Sequence, residues 1–291
     1  MSNSSRRDFF KKAGAAGIFI ALSNVATKMR NVSTPIIRNI VGTVYPKAVK
    51  GASFGMMIDV GACIGCRRCL HACKLENNVP DAPGNMHWID LFEMENRSPV
   101  TEVENIPPVG AVIDYTDSPK PDHWYFTFNC FHCDNPPCTK VCPTGATYKD
   151  EDGLVLINYD ICIGCRYCMA ACPYNARRFN WWNPELPPSR VNPIDGSVEP
   201  LNEAVPLRVR GVNEKCTFCV HRIRNGNPVP RCVEVCPVRA RHFGDFNDPN
   251  SEVSRLLKTE RTLRIRENLG TSPKLYYFTR GVKWSKDGEK L

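Results

Sequence analysis

Residues 160–176 read "DICIGCRYCMAACPYNA". Cys162, Cys165, Cys168 and Cys172 follow one another at C-x2-C-x2-C-x3-C spacing, and Pro173 comes next. Three more groups of four occur: Cys63, Cys66, Cys69 and Cys73; Cys130, Cys133, Cys138 and Cys142; and Cys216, Cys219, Cys232 and Cys236. All sixteen cysteines fall in these groups. The second has two extra residues before its third cysteine, the fourth has a long loop there, and Pro143 and Pro237 close them. Cysteines three apart on a tight, glycine-assisted turn aim three thiolates at three corners of one iron–sulfur cubane. The cysteine four residues on is expected to start a short helix that points away, toward a different cluster. Gly65 and Gly164 give the loop its freedom where backbone wraps metal, and proline after the last cysteine pre-sets the backbone there.

Other thiol chemistries fit less well. Structural zinc takes four ligands, typically as two CxxC pairs, and does not use a close-set third cysteine. Disulfides in this spacing would make a strange framework. A c-type haem needs C-x-x-C-H, a string absent from the chain. A repeat supports the iron–sulfur reading: "MMIDVGACIGCRRCLHAC" (56–73) aligns with "VLINYDICIGCRYCMAAC" (155–172), matching at Ile58, Cys63, Ile64, Gly65, Cys66, Arg67, Cys69, Ala72 and Cys73. Each copy begins with an apolar strand that runs into the cysteine loop. The alternating aromatics Trp124 to Phe128 predict the same before the second group.

At 291 residues the chain can bury a real core, and 24 prolines with 19 glycines point to short elements joined by loops. The net charge of +8 suggests an acidic partner, but Arg6, Arg7, Lys11, Lys12, Lys28 and Arg30 against Asp8 put most of it in the first thirty residues. A cubane with its four thiolates carries about −2 when oxidised, so four of them make the loaded protein net acidic. The remaining Lys and Arg form no basic face, which excludes a nucleic-acid partner.

Ser5-Arg6-Arg7-Asp8-Phe9-Phe10-Lys11 resembles the twin-arginine export consensus S-R-R-x-F-L-K. The apolar run after it, Ala13 to Ala26, is interrupted by Gly14, Gly17, Ser23 and Asn24, and is too weak for a comfortable span. This route moves folded proteins, so clusters inserted in a reducing cytoplasm reach an oxidising compartment with their thiolates already ligated. Arg6 and Arg7 are thus expected to engage the twin-arginine translocon, with residues 1–30 as the signal and the body soluble or peripheral at the extracytoplasmic membrane face.

On "CIGCRRCLHACK", "CFHCDNPPCTKVCPTGA", "CIGCRYCMAACPYNARRF" and "KCTFC" with its distant "CVEVCP", the chain resembles the four-cluster iron–sulfur subunits of membrane respiratory complexes. These include the beta subunits of formate dehydrogenase and dimethyl sulfoxide reductase, and the exported subunits paired with NrfD-type membrane proteins. The match runs over roughly residues 54–246. It implies an α+β fold of two pseudo-symmetric bacterial-ferredoxin-like modules with long loop insertions. Module A takes 54–84 and 205–246, module B takes 122–182, and 85–121 and 183–204 are insertions. The resemblance also implies four [4Fe–4S] clusters with crossed ligands. Cys63, Cys66, Cys69 and Cys236 hold cluster 1; Cys73, Cys216, Cys219 and Cys232 hold cluster 2. Cys130, Cys133, Cys138 and Cys172 hold cluster 3; Cys142, Cys162, Cys165 and Cys168 hold cluster 4. Such a subunit is an electron wire, without catalytic residues, between a quinone-reactive NrfD-like membrane subunit and a catalytic subunit or multihaem cytochrome. The competing reading is a free exported polyferredoxin.

Around the clusters, His71 and His132 are placed either to bond cluster sulfur or to cap local backbone. Arg177, Arg178 and Lys215 are placed either to offset cluster charge or to face solvent. Trp181 and Trp182 read as core or as interface anchors. Residues 247–291 read as a polar C-terminal tail.

Overall fold

Every cysteine group is entered and left through a short strand. The first lies between β1 (Phe54–Asp59) and β2 (Asp90–Glu95), the second between β3 (His123–Phe128) and β4 (Thr147–Lys149). The third lies between β5 (Val155–Ile157) and β6 (Arg178–Phe179), the fourth between β7 (Asn213–Glu214) and β8 (Arg241–Asp245). Their pairing is cyclic: β2 with β3, β4 with β5, β6 with β7, and β8 back to β1, all antiparallel. Strands of two to six residues are marginal alone; closing the ring lets each pair brace the next. This computed structural model describes residues 45–80, 86–95, 119–182 and 202–280, all within one compact unit, Thr43–Leu291. The other unit, Met1–Gly42, lies outside the described residues, and Arg6 and Arg7 with it.

Short helices carry or directly follow cysteines of each group: α1 (Arg68–Glu76), α2 (Pro137–Lys140), α3 (Tyr167–Ala170), α4 (Val220–Ile223), which Cys219 caps, and α5 (Arg231–Glu234). The spacing predicts that the fourth cysteine starts the helix. Instead α1 opens before Cys69 and contains both Cys69 and Cys73, while α3 contains Cys168 and Cys172 follows it. The reversal at Arg67 and Arg166, both left-handed with φ of 59° and 63°, starts each helix earlier than that expectation requires.

Two further expectations are corrected. The insertion 85–121 is not loop throughout, since β2 pairs along its length with β3, Asp90 opposite Phe128 and Glu95 opposite His123, and Trp88, Ile89 and Leu91 are buried. Residues 85 and 96–118 of it, like residues 183–201, lie outside the described residues. Nor is 247–291 a polar tail. It holds α6 (Glu252–Thr259), capped by Ser251, whose hydroxyl accepts from the Ser254 N–H, and β9 (Leu275–Phe278). β9 runs parallel to β1 on the edge opposite β8, giving the order β8-β1-β9. Four residues are too few for periodicity to reveal a strand, yet Leu275, Tyr277 and Phe278 are buried. Tyr277 stacks on Phe126 at 4.2 Å and donates to the Thr127 carbonyl.

Candidate metal centre

The loops share one backbone device. The second residue after each group's first cysteine has positive φ: Gly65 67°, His132 43°, Gly164 67° and Phe218 53°. At Gly65 a side chain would run into the Tyr125 ring, and at Gly164 into the Gly211 carbonyl, so glycine is required twice over. His132 and Phe218 bear the left-handed conformation with side chains, at a cost of about 1–2 kcal/mol each. Their rings stack on each other, centroids 3.9 Å apart. The two non-glycine turns thereby lock the second group onto the fourth.

His132 caps backbone. It is fully buried; the Val155 N–H donates to its Nδ1, so Nε2 carries the proton and donates to the Cys216 carbonyl at 3.0 Å. Burial, then the charge of Lys215, keeps the ring well below the usual imidazole range and neutral. Lys215 Nζ donates to the same two residues' carbonyls, Val155 and Cys216. His71 is exposed on α1.

Thiols gather both within groups and across them. One cavity is lined by Cys63, Cys66, Cys69 and Cys236, with Arg241 on its wall. Asn77 Nδ2 stands 3.6 Å from both Cys73 Sγ and Cys219 Sγ, and Cys73 has Cys216, Cys219 and Cys232 as thiol neighbours. Cys133 has Cys130, Cys172 and Cys138. Cys168 has Cys138 and Cys162; for Cys142, the fourth expected ligand there, no thiol neighbour stands out.

Burial raises the thiols of Cys63, Cys69, Cys73, Cys133, Cys168, Cys172, Cys216 and Cys219, Cys69 to about 12 and Cys172 to about 11. Cys142 differs: burial raises it, but the Thr147 N–H at 3.4 Å and Thr144 outweigh that and hold it below the ordinary thiol value. Gathering acids this weak is costly unless something ligates them as thiolates. All sixteen are free of disulfides. Among the described residues no three His, Cys, Asp or Glu converge tightly enough for a single ion, whereas tetrahedral zinc draws its sulfurs to about 2.3 Å. A cubane, with one iron per thiolate, suits the looser sets.

Buried cations supply a second test of fit. Arg177, Lys215 and Arg241 are 1%, 0% and 4% exposed. Among the described residues none of them pairs with a carboxylate, while Arg208 and Arg224, likewise buried, pair with Glu214 and with Asp150 and Asp152. A buried charge without a counterion costs several kcal/mol. What surrounds Arg177 instead is Cys138, Cys168, Cys130 and Cys172, and what surrounds Arg241 is Cys232, Cys69, Cys216 and Cys63. Clusters of about −2 are the missing counterions. Arg178 is different, paired to Asp90 on β2. Trp181 and Trp182 are half exposed, Trp181 carrying the Arg166 guanidinium 4.5 Å above its ring.

The chain is similar to known iron–sulfur proteins. The family described as "4Fe-4S dicluster domain" matches at residues 62–146, 121–186 and 154–237. The chain is 42% identical to a putative dimethyl sulfoxide reductase iron–sulfur subunit of Halobacterium salinarum, over 77% of this chain and 78% of that protein. It is 38% identical to the menaquinone reductase iron–sulfur cluster-binding subunit of Nitratidesulfovibrio vulgaris, over 78% and 89%. With Protein NrfC of Escherichia coli it shares 34%, over 78% and 81%.

Proposed function

The chain belongs to the family of iron–sulfur electron-transfer subunits of respiratory oxidoreductase complexes, and from that premise we propose how its residues form a wire and what the wire joins. It carries four [4Fe–4S] clusters, one-electron carriers when bound. The thiols hold them in the crossed sets, clusters 1 and 2 in module A (54–84 with 205–246, to which β9 adds a strand) and clusters 3 and 4 in module B (122–182).

The observation that carries this reading is a succession of thiol neighbours between sets. Cys69 neighbours Cys232, Cys216 neighbours Cys130, and Cys138 neighbours Cys168. The order 1-2-3-4 follows. Cys73, Cys216, Cys219 and Cys232 are all buried, whereas Cys63, Cys66 and Cys236 at one end and Cys142, Cys162 and Cys165 at the other reach the surface. The second cluster is thus sealed from solvent, the third reaches the surface only at Cys172, and the end clusters are left for partners.

One end meets a quinone-reactive NrfD-type membrane subunit, the other a catalytic subunit or multihaem cytochrome; a menaquinone reductase subunit among the relatives supports the quinone side. Among the described residues no helix is long and apolar enough to cross a membrane. The subunit sits peripherally on the extracytoplasmic face after twin-arginine export. The native complex drawn out in mild detergent is expected to contain a polytopic membrane protein and about sixteen irons with matching sulfide per copy. Recovery of the chain alone would favour the free carrier, and a colourless zinc protein would end the wire. Replacing Arg6 and Arg7 together by Lys is expected to strand loaded protein in the cytoplasm. Fractionation finding it outside in normal amount would refute the export route.

A further inference from the structure

The cysteine groups hide a second repeat. "CPYNARRF" (172–179) and "CPVRARHF" (236–243) share Cys, Pro, Ala, Arg and Phe at the same offsets, so Arg177 and Arg241 each stand five residues after a closing cysteine. Each emerges at the start of an outgoing strand and turns inward. Arg177 has ligands of clusters 3 and 4 around it, and Arg241 has ligands of clusters 1 and 2. Neighbouring protein fixes only part of each fork. Arg177 Nη1 donates to Thr147 Oγ1 at 3.0 Å; Arg241 Nη1 donates to Thr127 Oγ1 at 2.8 Å, and its Nη2 to Asn129 Oδ1 at 2.6 Å. Arg177 Nη2 and Arg241 Nε are buried without any hydrogen-bond partner in the protein. A buried guanidinium N–H left unpaired is costly, so these N–H groups point to acceptors that the cluster sulfurs would supply.

We propose that Arg177 and Arg241 are shared electrostatic levellers, each raising the reduction potentials of both clusters of its module together. Taking up one electron, with no proton, moves an oxidised cluster from about −2 to about −3. A fixed cation in a water-poor interior stabilises the more negative state more strongly. Because one guanidinium lies among ligands of two clusters, it favours the electron on either and moves both potentials together, leaving the step between them unchanged. Arginine suits this position because its charge is permanent. Lys215 occupies the middle junction between clusters 2 and 3 but spends its protons on the Val155 and Cys216 carbonyls, so its effect is the weaker.

The assignment rests on the crossed pairing, which Cys172→Ser tests independently by which cluster signal it removes. The test of the levellers is an EPR-monitored redox titration of purified, fully loaded protein. Arg177→Gln is expected to lower the midpoints of clusters 3 and 4 together and leave clusters 1 and 2 in place; Arg241→Gln does the reverse. The Arg177→Lys and Arg241→Lys variants are expected to restore most of each shift, which a purely structural role would not do. Unmoved midpoints in the Gln variants, or equal falls with Lys and Gln, overturn the proposal. If a Gln variant fails to hold its clusters, Thr147→Val and Thr127→Val loosen the same guanidinium without removing it. Joint shifts of the corresponding pair then support the proposal, and unmoved midpoints overturn it.

Discussion

Cys172→Ser removes a cluster whose other ligands lie thirty or more residues upstream, while the three cysteines just before it, Cys162, Cys165 and Cys168, keep theirs. This result is expected from the surroundings of Cys172: Cys130 and Cys138 are among its thiol neighbours, and Cys133 counts Cys172 among its own. Serine is a poor iron ligand beside thiolate, so EPR of the reduced protein loses one [4Fe–4S] signal or gains that of a three-iron cluster, and iron falls from about sixteen per chain to between about twelve and about fifteen. The partner variant Cys133→Ser should remove the same signal. If Cys172→Ser and Cys165→Ser remove the same signal instead, each motif holds its own cluster and the crossed arrangement is wrong. Cys130, Cys133 and Cys138 are buried and Cys172 is partly exposed, so the position left open lies at the rim of the set.

How much of this was legible depends on how far apart in sequence the cooperating residues stand. The cysteine spacing, the glycines at 65 and 164 and the strands before the loops are local, and they appear in the fold as the sequence implies. The strand ring is not local: β1 pairs with β8 at Phe54 opposite Asp245, a separation no periodicity encodes. Arg241 was legible in principle, since the CPxxARxF repeat stands in the chain, but a lone arginine beside a histidine reads as surface until its burial is known. His132 shows the opposite limit. Its place within a cysteine group left a sulfur partner and a local backbone cap both open; its ring serves backbone, but that of Val155 and Cys216 far along the chain. The strand β9 was invisible because Leu275 to Phe278 is a short apolar island among charged residues, and only the open edge of β1 gives it a reason to fold.

That strand is the source of the other large effect. A stop codon after Asn247 is expected to abolish accumulation of loaded protein. The lost segment buries Val253, Leu256, Ile265, Leu275, Tyr277 and Phe278. At roughly 1.5–3 kcal/mol for each buried side chain, the loss is on the order of 10 kcal/mol, comparable with the whole stability of an ordinary domain, about 5–15 kcal/mol. Backbone is lost as well. The Met56 N–H donates to the Lys274 carbonyl and the Val60 N–H to that of Phe278, so β1 enters the first cysteine loop with an open edge. The second cysteine loop loses support too, because the Asp134 and Asn135 N–H groups donate to the Ser272 and Thr271 carbonyls. Clusters of both modules therefore depend on the segment. Tyr277→Ala grades the effect. Removing a fully buried aromatic costs about 3–5 kcal/mol, and the loss of its stack on Phe126 and its bond to Thr127 lowers the thermal midpoint while leaving the thiols intact. A truncated protein that still binds about sixteen irons and unfolds at the full-length midpoint would show that the clusters, and not the sheet β8-β1-β9, hold module A together.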